Sequence, residues 1–331
     1  MTPPVQRDAQ PARPKPRTHW AWRLIEALAG LSLLAPLGLA SLTLTGSGHR
    51  WIDILAQFTA PALSATILVT VVIAVIRLWR PAVLGLLTTA LLVLAVWPQA
   101  FPPTPPARAG ATEVRLYSAN VFYMNTDIER MRASIAEANP DIVVLIELSI
   151  DTTGRIDRLL EGYPHRLEAT PMDQTRGPAR SLIASRYPLT PVATYDDVLN
   201  DVAATVQTPL GPVHVMGVHL TRPWPYQFQY GQIIQVQRLT ELRRQLTGPL
   251  IVAGDFNSVS SARIGRQMRD EAGLIAAPAR VGTWPSALPP VFGITIDQVY
   301  RSPELTFTHR RLGLPTGSDH RPVVTTFTLA E

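Results

Sequence analysis

Several apolar runs in the C-terminal two thirds of this 331-residue chain end in a carboxylate, carboxamide or imidazole. VRLYSAN ends at Asn120, DIVVLIE ends at Glu147, and LIVAG runs into Asp255 and Asn257. Asp319 and His320 precede the last apolar run, PVVTTFT. One such residue is the ordinary exit of a strand into solvent. Four at successive strand ends ask for another explanation, because an unpaired charge is costly to bury. The ends of strands in one sheet converge on a rim, where groups of these types can face one cleft. Carboxylate and carboxamide oxygens suit a hard divalent ion, Mg²⁺ or Mn²⁺. The chain has no Cys and 7 His, which excludes a cysteine-type zinc site.

The elements that must position these residues alternate along the chain. VRLYSAN, DIVVLIE, SLIAS, VAATVQT, VHVMGVHL, PLIVAGDFN and PVVTTFT read as strands. Residues 127–138 read as a helix that opens near Asp127 and stops at Asn139-Pro140. Residues 227–246 read as a second, longer helix. Mixed strands and helices over residues 112–331 predict one α+β domain, a β-sandwich flanked by helices in four α/β/β/α layers.

The N-terminal third is of another kind. Residues 27–46, 54–76 and 81–107 carry no charged side chain. Each run can cross a bilayer core of ~30 Å, which takes ~20 apolar residues in a helix. Three such runs predict three transmembrane helices within residues 21–101, whereas a signal peptide is one short run. Pro36 and Pro61 fall inside the first two, where neighbouring helices can satisfy the freed carbonyls. Trp97 closes the third at a position suited to the membrane interface. Residues 1–20 are expected to form a disordered cytoplasmic tail. Residues 102–111, with PPTPPARAG, are expected to be a stiff, extended linker.

Basic residues set the orientation. The tail carries Arg7, Arg13, Lys15, Arg17 and Arg23, the second loop Arg77 and Arg80, and the first loop only Arg50. The tail and second loop are therefore expected in the cytoplasm. Three crossings then put residues 112–331 on the periplasmic or extracellular side of a multi-pass inner-membrane protein. The net charge of +5 is concentrated in the tail and loops: residues 112–331 hold 21 Arg, no Lys and 22 Asp or Glu. That balance removes the global argument for a duplex-DNA binder, which usually shows a basic face.

GDFN at 254–257, SDHRPV at 318–323, SAN…PDIVVLIE within 118–147 and GVHL at 217–220 together resemble the endonuclease/exonuclease/phosphatase (DNase-I-like) superfamily. The likeness spans residues 112–331, and the three runs ahead of it resemble a membrane-anchored bacterial subgroup. The resemblance implies a phosphoesterase dependent on Mg²⁺ or Mn²⁺. It implies Glu147 as the principal metal ligand, Asn120 as the holder of the metal-side network, and Asp319 as a support for the metal. Asp255 would orient and deprotonate the attacking water, and Asn257 would hydrogen-bond a phosphate oxygen. His320 would donate to the phosphoryl oxygen, with Asp297 fixing its imidazole. His219 would contact phosphate or protonate the leaving oxygen. Gln298 and Arg180-Ser181 depart from the family's usual residues.

Taken alone, His219 in its apolar strand reads equally as a core histidine. His165, His214 and His309 match no motif and read as structural or surface residues, and Trp284 reads as packing. Trp224, Tyr226, Phe228 and Tyr230 follow GVHL and read either as a packed helix start or as a substrate lip or membrane-facing rim. Three function classes remain: a phosphoesterase acting outside the cytoplasm on a lipid headgroup or nucleic acid, a non-specific extracellular nuclease, and an inactive membrane interaction protein. A transporter is excluded, because three spans almost without charged residues offer no ion pathway. No protein partner is inferred.

Overall fold

The computed structural model describes residues 19–169, 180–193, 200–225 and 228–331. Tyr226, residues 176–179 and nearly all of the N-terminal tail lie outside these. Five helices open the described chain: α1 (His19–Ser32), α2 (Leu34–Leu44), α3 (Arg50–Ala56), α4 (Thr59–Val75) and α5 (Trp79–Ala100). Two apolar stretches, Trp20–Leu44 and Trp79–Ala100, are long enough to cross a membrane. The first is interrupted at Leu33. Pro36 has no N–H to give the Ser32 carbonyl, so the ladder breaks one turn before it. α3 and α4 pass the same test only together, and they meet at 58°.

Two six-stranded sheets follow. The first is ordered β11-β12-β1-β2-β4-β3 and the second β5-β6-β7-β8-β10-β9. In chain order the strands are β1 (Val114–Asn120), β2 (Ile142–Leu148), β3 (His165–Glu168), β4 (Arg180–Ser185), β5 (Leu189–Pro191) and β6 (Asn200–Thr208). They continue as β7 (Gly211–His219), β8 (Leu250–Asp255), β9 (Ile275–Ala276), β10 (Asp297–Arg301), β11 (Leu305–Leu312) and β12 (Val323–Leu329). Helices α6 (Ile128–Ala138), α7 (Ile150–Thr153) and α8 (Ile156–Leu159) accompany the first sheet, and α9 (Gln229–Gln245) and α10 (Arg263–Asp270) the second.

Strand alternation builds the layers. Leu116, Val144, Ile146, Val215, Ile251 and Val299 meet between the sheets. Their neighbours Tyr117, Val143 and Leu145 turn outward to pack with Met131 and Ile135 of α6. Met216, Val252 and Tyr300 pack with Val236 and Leu239 of α9. The result is the expected α/β/β/α order. Asp127 caps α6, its Oδ1 accepting from Arg130 N at 3.1 Å, and Asn139 closes it in the left-handed conformation at φ 44°.

The Pro-rich segment 102–111 does not stand free. Arg301 Nη2 donates to Pro103 O at 2.9 Å, Thr306 Oγ1 to Pro105 O at 2.6 Å, and Arg108 N to Leu329 O at 2.9 Å. These bonds lay the linker along the C-terminal domain.

One glycine sets the fit of β8 against β7. Gly254 has φ 145°, and a Cβ there would sit inside the Val218 carbonyl. Gly254→Ala is expected to cost at least ~3 kcal/mol, since forbidden backbone and steric overlap add. Thermal unfolding of the full chain in micelles checks this.

Candidate active site

Register assembles the site. β7 and β8 run parallel with His219 opposite Asp255, and β10 runs antiparallel to β8 with Asp297 opposite Asp255. His219, Asp255 and Asp297 therefore occupy one rung at the rim of the second sheet. In the first sheet, Asn120 ends β1 opposite Ile146, one residue before Glu147. The pairing of β2 with β4 shifts between Leu145 and Leu148, and Glu147 sits in that irregularity at φ 60°. A bulge re-aims the side chain it carries. Here it turns Glu147 toward the second sheet.

Asn120 bridges the two rims. Its Nδ2 donates to Glu147 Oε1 at 2.9 Å and to Asp255 Oδ2 at 3.1 Å. Phe122 N fixes its Oδ1 at 3.0 Å. His219 Nε2 stands 3.4 Å from Glu147 Oε1 and 3.7 Å from Asp255 Oδ2. His320 Nδ1 lies 2.9 Å from Asp297 Oδ2, and its Nε2 lies 3.8 Å from Asp255 Oδ2. Asp255 Oδ1 accepts from Asn257 N at 2.8 Å, while Asn257 Nδ2 donates to Leu220 O at 2.9 Å. Asn257 is itself held at φ 46°. Left-handed non-glycine residues such as Glu147 and Asn257 store strain, and such strain clusters at functional sites.

Burial raises the Asp255 carboxyl above the usual range; His320 and His219 pull it back and Asp297 pushes it up. Burial would lower the His320 imidazolium, but the charges of Asp297 and Asp255 and the Asp297 hydrogen bond outweigh it and raise His320 to about 10. A carboxyl raised by burial and an imidazole raised by its carboxylate partners face each other across one pocket.

Two overlapping groups could hold a cation: Glu147, His219 and Asp255, and Asp255, Asp297 and His320. The second is closed by its own short Asp297–His320 hydrogen bond. The first is open. Among the described residues, Glu147 Oε2 has only a long contact from Tyr123 N, at 3.4 Å. Its oxygen-rich donors suit Mg²⁺ or Mn²⁺. Asp319 stands apart from both groups. Its Oδ2 accepts from Trp284 Nε1 at 3.1 Å, and its buried Oδ1 has no partner among the described residues.

The profile of the Endonuclease/Exonuclease/phosphatase family matches residues 117–320, more than half of the chain and every residue of this pocket. The chain belongs to the endonuclease/exonuclease/phosphatase family. No curated protein matches it. Among solved structures, the endonuclease/exonuclease/phosphatase from Beutenbergia cavernae shares 21% identity at TM-score 0.52, covering 66% of this chain and 72% of that one. A 3′ phosphatase from Neisseria, bound to a product DNA hairpin, shares 22% at TM-score 0.51, covering 64% and 98%. The mannosyl-6-phosphatase of Bacteroides thetaiotaomicron shares 15% at TM-score 0.51, covering 65% and 99%. At these identities the likeness is one of fold. Nucleases and phosphatases alike cleave phosphate esters, so membership of the endonuclease/exonuclease/phosphatase family makes this chain a relative of phosphoesterases.

Some of the site was not expected. Ser318 Oγ donates to Asn120 O at 2.8 Å and accepts from His320 N at 3.0 Å, tying the end of β1 to the loop that carries His320. Trp284, read as packing, holds Asp319. Gln298 turns its amide to Thr295 O. His214 is a structural residue, its Nδ1 2.9 Å from Thr205 Oγ1. Gln57, from the apolar N-terminal third, donates to Asn257 O at 3.3 Å.

Proposed function

We propose that the protein is a Mg²⁺- or Mn²⁺-dependent phosphoesterase whose site lies outside the cytoplasm. The observation that carries this reading is the convergence on Asp255 of Asn120, His219 and His320, with Glu147 and Asp297 completing the ring. Glu147, with Asn120 steadying it, would hold the cation. When bound, the cation supplies Lewis-acid stabilisation of phosphate charge, worth several kcal/mol. Asp255 orients the attacking water and takes its proton; its raised affinity for protons suits that task. His320, charged and fixed by Asp297, donates through Nε2 to the phosphoryl oxygen as charge builds. His219 contacts a second phosphate oxygen, and Asn257 a third. Asp319, held by Trp284, would support the cation's site.

The same reading takes residues 21–101 as three spans, with α3 and α4 forming one bent span, residues 1–20 as a cytoplasmic tail, 102–111 as the linker and 112–331 as the catalytic domain. One end of the helix bundle supports this sidedness. The α2–α3 turn, the start of α4 and the end of α5 all touch the catalytic domain. The opposite end carries Arg77 and Arg80, the basic loop favoured in the cytoplasm.

Full-length protein in detergent micelles is expected to hydrolyse bis-(p-nitrophenyl) phosphate with Mg²⁺ or Mn²⁺ and to lose turnover on chelation. No turnover with either metal, or turnover indifferent to chelator, rejects the reading. A reporter fused at the C-terminus is expected to be active only outside the cytoplasm.

A further inference from the structure

Resting on the phosphoesterase reading, we propose that the substrate is a phosphate ester of a membrane lipid, taken from the leaflet beside the site. The strands that bear His219, Asp255 and Asp297 adjoin segments 220–229, 256–263 and 278–296, and each segment is bonded to the apolar helices. Arg50 Nη2 donates to Pro223 O at 3.2 Å. Arg263 N donates to Asp53 Oδ1 at 2.6 Å, and Gln57 Nε2 to Asn257 O at 3.3 Å. Ser64 Oγ donates to Val291 O at 2.6 Å, and Gln99 Nε2 to Ala279 O at 3.2 Å. The edge of the sheet that carries the site is thus the edge seated on the helix bundle.

The surface around that seat is apolar and open. Phe228 and Tyr230 are 70% and 69% exposed, and Trp224, Leu288, Val291 and Phe292, in the segments bonded to the helices, are exposed too. A patch of this kind marks an interaction surface. Trp and Tyr favour the headgroup level of a bilayer. Arg50 of α3 lies over the Phe228 ring at 5.2 Å and Ser64 of α4 bonds Val291 O, so these residues adjoin the helices and would meet the bilayer that the proposed spans cross.

α3 links the site to a place for a chain. One face of it, with Asp53, Ala56 and Gln57, docks against Gln229, Val259 and Asn257. Its other face, with Ile52 and Leu55, closes a groove of about 620 Å³ with Leu39, Leu42, Phe58 and Val69. Only one helix, ~10–12 Å across, separates groove from site. A lipid with an acyl chain in the groove places its phosphate near Asn257. Nucleic acid fits less well. The catalytic domain is close to neutral, whereas a nucleic-acid binder usually presents a basic face. In the reaction, water oxygen bonds to phosphorus as a phosphorus–oxygen ester bond breaks. Asp255 receives one water proton, and the released alcohol takes one from solvent.

The test uses the full chain reconstituted with Mg²⁺ in phosphatidylcholine vesicles containing phosphatidic acid or phosphatidylglycerol. Glycerol phosphate, bis-(p-nitrophenyl) phosphate and duplex DNA are assayed in parallel. At least one vesicle lipid is expected to be hydrolysed with kcat/KM tenfold or more above glycerol phosphate. Filling the groove with Leu42→Trp and Leu55→Trp, or stripping the rim with Phe228→Ser and Tyr230→Ser, is expected to lower the ratio of lipid to bis-(p-nitrophenyl) phosphate turnover at least tenfold. Both pairs alter exposed side chains, and retained soluble-ester turnover reports folding. Hydrolysis of soluble ester or DNA without preference for any vesicle lipid, or a ratio unmoved in both variants, overturns the lipid proposal and leaves the phosphoesterase reading standing. Absence of all hydrolysis removes both.

Discussion

Asp255→Asn is expected to lower kcat/KM for phosphate-ester hydrolysis by about 10³–10⁴-fold while the protein stays folded. General-base groups contribute on the order of 10²–10⁴-fold, and Asp255 is also the residue on which both candidate cation groups overlap. A loss of 10³ is about 4 kcal/mol of transition-state stabilisation. The amide keeps the shape of the carboxylate and can still accept from Asn257 N, now made to Asp255 Oδ1 at 2.8 Å. It loses the bond from Asn120 Nδ2, about 1 kcal/mol. Against that loss stands relief of a buried charge. Burial raises the Asp255 carboxyl above its unfolded value, so the ionised form costs stability once pH exceeds that value. The metal-free variant is therefore expected to melt at or above the wild-type temperature at neutral pH. Steady-state kinetics and a thermal scan measure the two halves. Retained turnover sinks the assigned role, and a large drop in melting temperature makes Asp255 a structural residue.

His320→Ala is expected to lower turnover about 10²–10³-fold, the usual cost of one pre-aimed donor. Asp297→Asn is expected to reproduce part of that loss through His320 alone. Asp297 holds Nδ1 at 2.9 Å and raises the imidazolium, which titrates near 10 in spite of burial. The sign is that of a group raised above its unfolded value of 6.5. Its stabilisation is full below 6.5 and is lost as pH climbs through about 10. Proton NMR of the chelated wild type should therefore show His320 protonated across the neutral range. In Asp297→Asn the titration should move down toward the ordinary histidine range, and the alkaline limb of the stability profile should move with it. An unshifted His320 signal in that variant sinks the pairing.

The same fields explain why so polar a pocket survives between two apolar sheets. Each buried group has a fixed partner: Asn120 has Phe122 N and Ser318, Asp297 has His320 and Thr283, and Asp255 has Asn257. A buried network with its members satisfied is rigid, and one partly satisfied is costly. Asp319 Oδ1 is among the buried polar atoms without a partner among the described residues, on the side where support for a cation is proposed.

The sequence alone determined the sandwich and the addresses of its candidate site. Runs such as DIVVLIE carry the continuous apolar pattern of a strand buried on both faces, and Ile142–Leu148 is that strand. A polar residue at the end of such a run has nowhere to go but the rim, so Asn120, Asp255 and His320 were legible before any coordinate. Tertiary structure alone decided how those residues face one another. The irregularity that turns Glu147 at φ 60° depends on pairing with β4, a strand outside its own. The grip of Trp284 on Asp319 depends on a loop 35 residues away. α9 read as an ordinary long helix, yet its buried Gln229, Gln232 and Gln235 bind Asp53, the Phe256 and Asn257 carbonyls, and Thr221. Nor did anything in the apolar N-terminal third announce that Gln57 would reach Asn257, 200 positions on. Local pattern reports which face of an element is buried. Which partner buries it is set by chain crossings, and those exist only once both sheets and the helix bundle have packed.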